Sequence, residues 1–99
     1  MLTKTDILQF LGNNKDYLNN QFNIVKIGLF GSFARDEALE NSAIDLIIEL
    51  EENTPDIFEL KRDLRQFIKD NLNRDVYICR EKYLKPFIKD YIKNEVVYV

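Results

Sequence analysis

The chain has 99 residues, 45% of them hydrophobic, enough for one small core and too few for a second, so residues 1–99 read as a single domain. Fourteen Lys and Arg against seventeen Asp and Glu give a net charge of −3, which argues against the basic surface that direct nucleic-acid binding needs. The lone Cys79 has no internal disulfide partner, and no apolar run suits an export signal or a membrane span, so the expected setting is cytoplasmic.

Thr3 or Thr5 can cap a first helix, with Asp6 near the positive end of its dipole and Ile7, Leu8, Leu11 and Leu18 at helical spacing as far as about Gln21. Gly12-Asn13-Asn14 weakens the middle of that helix, where glycine costs roughly 1 kcal/mol relative to alanine, so a kink or break is expected. Ile24 to Phe30, bounded by Asn23 and Gly31, reads as the first strand. Ser32 to about Leu39 reads as a short helix, Glu40-Asn41-Ser42 as a polar connection, and Ile44 to Leu50 as the second strand. After the loop Glu51-Glu52-Asn53-Thr54-Pro55, the residues Ile57, Leu60, Leu64, Phe67, Ile68 and Leu72 share one face of a long helix that ends at Asn71-Leu72-Asn73-Arg74. Asp75 to Cys79 reads as a third strand. A last helix runs from about Lys82 to Lys93, with Pro86 tolerable only near its start, and Glu95 to Val99 is extended and apolar. The sum is an α+β fold, a small mixed β-sheet with helices packed on it.

The chemistry-bearing stretch begins where the first strand stops at Gly31-Ser32. A strand that breaks there into a short helix aims backbone N–H groups and a hydroxyl at one spot, which suits a phosphate. Arg35, one turn later, can add a cation near the phosphates or hold the loop by an ion pair. Asp45 interrupts the apolar second strand, where an uncompensated charge is costly. Positions 43 and 45 share a strand face, and Asp75 opens the third strand beside them if the two strands are neighbours. Three carboxylates there would hold two magnesium ions, which offset transition-state charge in nucleotidyl transfer while Gly31 and Ser32 keep the phosphates in line. Taken singly, Gly31-Ser32 is an ordinary turn, Arg35 and Asp75 are ordinary surface charges, and the Phe and Tyr residues belong to the core.

Taken together, Gly31-Ser32, Arg35, Ser42, Asp45 and Asp75, with the run from Ile27 to Arg35, resemble the minimal nucleotidyltransferase (MNT) family of the DNA polymerase beta-like superfamily. The resemblance spans nearly the whole chain and implies that family's fold, with magnesium-dependent transfer of AMP from ATP. It also implies a partner: many members are antitoxins paired with a HEPN-domain toxin ribonuclease, and some adenylylate a tyrosine on it. In that pattern Gly31, Ser32 and Arg35 bind the nucleotide, Asp45 and Asp75 hold metal, and Asp45 and Arg35 serve catalysis. The chain departs from the pattern twice. Asp36 stands where relatives often have glycine, a minor change. Ala43 stands where the first metal-binding aspartate belongs, so catalysis is expected to be impaired, either in an engineered variant or in a gene that kept only binding. Glu49 does not replace the lost acid, since it lies roughly 13 Å beyond Asp45 along the strand. Two alternatives stay open: an antitoxin that neutralises its toxin by contact alone, and a stand-alone transferase acting on a small molecule. The apolar tail Val96-Val97-Tyr98-Val99 reads either as a toxin contact within a hetero-oligomer or as an edge strand of the chain's own sheet.

Overall fold

The computed structural model describes residues 1–99. Thr3 caps the first helix: its hydroxyl accepts from the Asp6 amide at 3.1 Å while the Asp6 carboxylate accepts from the Thr3 amide at 3.0 Å. The expected weakness at Gly12-Asn13-Asn14 is a full break, giving α1 (Lys4–Asn13) and α2 (Lys15–Phe22). Asn23, at φ 56°, ends α2 in the left-handed region that asparagine tolerates better than most residues.

Four strands follow: β1 (Ile24–Phe30), β2 (Ile44–Leu50), β3 (Val76–Arg80) and β4 (Val97–Tyr98), in the sheet order β3-β2-β1-β4. β1 runs antiparallel to both β2 and β4, and β2 runs parallel to β3. The parallel pair needs a crossover, which the amphipathic helix α4 (Ile57–Leu72) supplies. Leu64 and Ile68 of α4 are fully buried against the sheet's inner face, where Leu29, Ile44, Leu46 and Ile48 are equally inaccessible. Ile7, Leu11 and Leu18 close the same core, so truncating one of these side chains costs about 3 kcal/mol. Phe67 adds an aromatic cluster, its ring centroid 4.9 Å from Tyr17 and 5.8 Å from Phe10.

Three expectations change. The helix after Gly31 is a single turn, α3 (Gly31–Ala34), because Asp36 adopts φ 59° and turns the chain into a loop. The third strand starts at Val76, which leaves Asp75 just outside it. The last helix is split into a 3₁₀ turn (Glu81–Tyr83) and α5 (Pro86–Ile92), with Pro86 in the first helical turn, where its missing N–H has no cost. The tail is an edge strand of the chain's own sheet: β4 pairs Tyr98 with Gly28 and Val97 with Leu29. A Cβ on Gly28 would lie 2.8 Å from the Tyr98 ring and 2.9 Å from Val96, so the absent side chain lets the tail lie close on β1. No helix is long and apolar enough to cross a membrane.

Candidate functional site

The site forms where β1 turns into α3. Gly31 adopts φ 79°, a conformation that L side chains rarely take, and the Asp45 carboxylate packs directly against its Cα. Cross-strand pairing produces this contact, since Phe30 faces Asp45 in the β1–β2 register and Gly31 follows immediately. Burial pushes the Asp45 carboxyl above its ordinary pKa; the positive charge of Arg35 opposes the shift, and the negative charge of Glu95 adds to it.

Glu95, absent from the sequence-based set, occupies the centre. Its Oε2 accepts a 2.6 Å hydrogen bond from the Gly31 amide and a 3.2 Å bond from Arg35, and Oε1 accepts from the same Arg35 nitrogen at 3.3 Å. Arg35 also donates through Nε to Glu37 at 2.9 Å. Hydrogen bonds to Glu37 first and Glu95 second hold the guanidinium still more firmly in its charged form. Two of the donors expected to face a phosphate, the Gly31 amide and the Arg35 guanidinium, are therefore engaged by a carboxylate of the chain itself. Only the acidic residue within an apolar tail hinted at this, and a partner 64 residues from Gly31 leaves no local spacing signal.

The expected carboxylates do not converge. Ala43 lies just ahead of β2, half-buried, and the β2–β3 register puts Asp75 level with Ala43 and Tyr77 level with Asp45. The Asp75 backbone carbonyl accepts from the Ile44 amide at 2.8 Å, but its side chain is exposed and pairs with Lys69 of α4 at 3.0 Å. The residue beside Asp45 on the outer face is the exposed Tyr77. Asp75 is thus brought to Lys69 and away from Asp45, because it precedes the aligned residue by two positions and a lysine at the end of α4 reaches it. Nowhere in the chain do three His, Cys, Asp or Glu side chains group around one point. Ser42 braces the loop ahead of β2, its hydroxyl accepting from the Leu39 amide at 2.8 Å, and Arg74 donates to the Ser42 carbonyl at 3.4 Å. A cleft of about 580 Å³ lies away from Gly31, between Asn41, Lys69, Arg74 and Asp75.

The nucleotidyltransferase domain model matches residues 11–99. This chain belongs to the minimal nucleotidyltransferase family. It is 33% identical over its full length to the protein adenylyltransferase MntA of Thermococcus cleftensis, covering 98% of that protein. It is 31% identical to the candidate protein adenylyltransferase MJ1379 of Methanocaldococcus jannaschii, with both chains covered completely. Among solved structures, a candidate minimal nucleotidyltransferase superposes with a TM-score of 0.78 at 23% identity, over 97% of this chain and 95% of that one. A second is the MNT antitoxin complex with tri-AMPylated HEPN toxin of Shewanella oneidensis: the matching chain gives a TM-score of 0.57 at 17% identity, over 96% of this chain and 66% of that one. These two likenesses establish the fold, a mixed four-stranded sheet flanked by helices. In this minimal nucleotidyltransferase Gly31, Ser32 and Arg35 belong to one turn and Asp45 of β2 lies against it, with Ala43 two residues before Asp45 and Tyr77 level with it on β3.

Proposed function

We propose that this chain is the antitoxin of a toxin–antitoxin pair, a cytoplasmic nucleotidyltransferase whose lineage transfers AMP from ATP to a tyrosine of a HEPN-type toxin. With Ala43 in place, it binds its toxin and holds nucleotide weakly, with little or no transfer. The observation that carries this reading is the Asp45 carboxylate set against the Gly31 turn with alanine at position 43. The similarity to a named protein adenylyltransferase supports the chemistry, and the fold shared with an antitoxin–toxin complex supports the partner.

In this reading the Gly31 turn, the Ser32 hydroxyl and Arg35 face the triphosphate. The acceptor oxygen bonds to the α-phosphorus, the bond to pyrophosphate breaks, and the hydroxyl proton passes to a carboxylate. Asp45, whose burial raises its proton affinity, is the carboxylate available. The magnesium that the family chemistry implies does not fit the residues present: Asp45 stands without a second acid in reach on β2, and Asp75 is held by Lys69. That mismatch favours contact neutralisation over modification as the present mode of action.

The test is transfer of label from α-labelled ATP to a co-purified HEPN toxin encoded beside this chain. Complex formation on size exclusion is expected for every variant, with background labelling by the present chain. Ala43→Asp is expected to raise transfer by at least roughly two decades, about 2.7 kcal/mol of barrier. Adding Tyr77→Asp, level with Asp45 on β3, raises it further. Separate elution at micromolar concentration rejects the antitoxin reading. Folded Ala43→Asp and Ala43→Asp/Tyr77→Asp chains that both fail to transfer reject the enzymatic ancestry of the site.

A further inference from the structure

Arg80 closes β3 on the helix-facing side of the sheet, in line with Val76 and Ile78, and is only 9% exposed. A guanidinium does not shed its proton inside a protein, so a positive charge is fixed in the core margin. No carboxylate lies within ion-pair distance of it, and its Nε–H is enclosed without a hydrogen-bond partner. Its close electrostatic neighbour is the Tyr83 ring, whose centroid is 5.0 Å from the guanidinium carbon. The acids nearest in sequence and register are committed elsewhere: Glu81 pairs with Lys26 at 3.2 Å, and Glu49 accepts from the Lys82 amide at 3.0 Å.

Arg80 lines a cavity of about 410 Å³ between the start of α4 and the turn after β3, together with Lys61, Tyr83, Ile57, Ile78 and Leu84. Lys61 has no ion-pair partner either, and its charge is felt inside, where it opposes the rise in the pKa of the Cys79 thiol that burial causes. Two unpaired cations, one of them buried, with an apolar floor and a tyrosine ring, lack only the anion that would offset the desolvation of Arg80. The cavity lies on the face opposite Asp45 and three residues further along the sheet, so it is separate from the Gly31 turn.

We infer that the Arg80 cavity is a binding site for an oxyanion, a carboxylate or a phosphate monoester, carried on a flat apolar frame. Arg80 supplies a fork of donors for two oxygens, Lys61 adds a second charge, and the frame lies against Tyr83 and Leu84. The same anionic group is available from an acidic side chain of a docked peptide or from a phosphorylated small molecule, and the test separates the two.

The full ¹⁵N-labelled chain is titrated with phenylacetate, phenyl phosphate and neutral benzamide while the Arg80 Nε–H resonance is followed. A saturable shift with at least one of the two anions and none with benzamide is expected, and the stronger anion identifies the source. Lys61→Gln should weaken binding about threefold. Arg80→Met should abolish it and, by removing an unpaired buried charge, raise the melting temperature of the free protein. Absence of saturation with both anions, equal binding of benzamide, or undiminished affinity in Lys61→Gln overturns the inference. A lower melting temperature in Arg80→Met overturns it too, since the guanidinium would then be satisfied without a ligand.

Discussion

Gly31 has carboxylates on two sides, Glu95 on its amide and Asp45 on its Cα, and its φ of 79° suits only a residue without a side chain. Gly31→Ala therefore strains the backbone by about 1–2 kcal/mol and pushes the Asp45 carboxylate out of place. Urea unfolding should register that loss, and an unchanged midpoint would mean that the turn relaxes freely. Asp45 carries a pH signature of its own. Its raised pKa means that the folded chain binds this proton more tightly than the unfolded chain. The group therefore favours the fold below its ordinary value of 3.8, and that contribution is lost as pH rises through the raised value. Asp45→Asn should melt higher than the parent at pH 7, with the difference closing as the solution is acidified through that range. A functional carboxylate kept at a stability cost behaves this way. At this scale much was legible: the interruption of an apolar run by Asp45, the Gly-Ser break and the alanine at position 43 are all local features of the sequence.

Between elements, legibility depended on register. β1 and β2 stand where their apolar runs put them, and α4 buries the face that its 3.6-residue repeat marks. The partner of Asp45 on β3 is another matter, since a shift of two residues decides between Asp75 and Tyr77 and nothing in β3 itself selects the pairing. The composition of the run after Gly31 permits a helix to Leu39, but the helix ends at Ala34 and the left-handed Asp36 turns the chain into a loop. The contact of Glu95 with Gly31 joins the segment ahead of β4 to the turn, and it yields a competition experiment. Glu95→Gln loses the charge facing Arg35 and weakens the bond to the Gly31 amide, so the fold loses about 1 kcal/mol through that amide. A triphosphate approaching the same donors meets one negative charge fewer, so calorimetric titration with ATP should give tighter binding than in the parent chain. Weaker binding would instead make Glu95 a support that the nucleotide needs.

For the molecule as a whole, the sheet order β3-β2-β1-β4 puts the short strand β4 at one edge, held to β1 by two paired positions and the Val99-to-Ile27 hydrogen bond of 3.0 Å. An edge this short opens before the core does. Hydrogen exchange should find the amides of Gly31 and of residues 97–99 opening together, at lower free energy than Leu46 and Ile48; exchange of all of them at one global rate would contradict this. The Gly31–Glu95 bond spans 64 residues, and closing a loop of that length costs about 4 kcal/mol in chain entropy, more than the bond returns. That contact therefore cannot help to nucleate folding and must wait until β1, β2 and α4 have already brought the chain together. A nearly native chain with a formed core and an unlatched turn precedes the finished protein on the way in and is the first species met on the way out. The Gly31–Glu95 latch is thus the last contact of the molecule to close and the first to open, and mild heating should free the Gly31 amide while the core still holds.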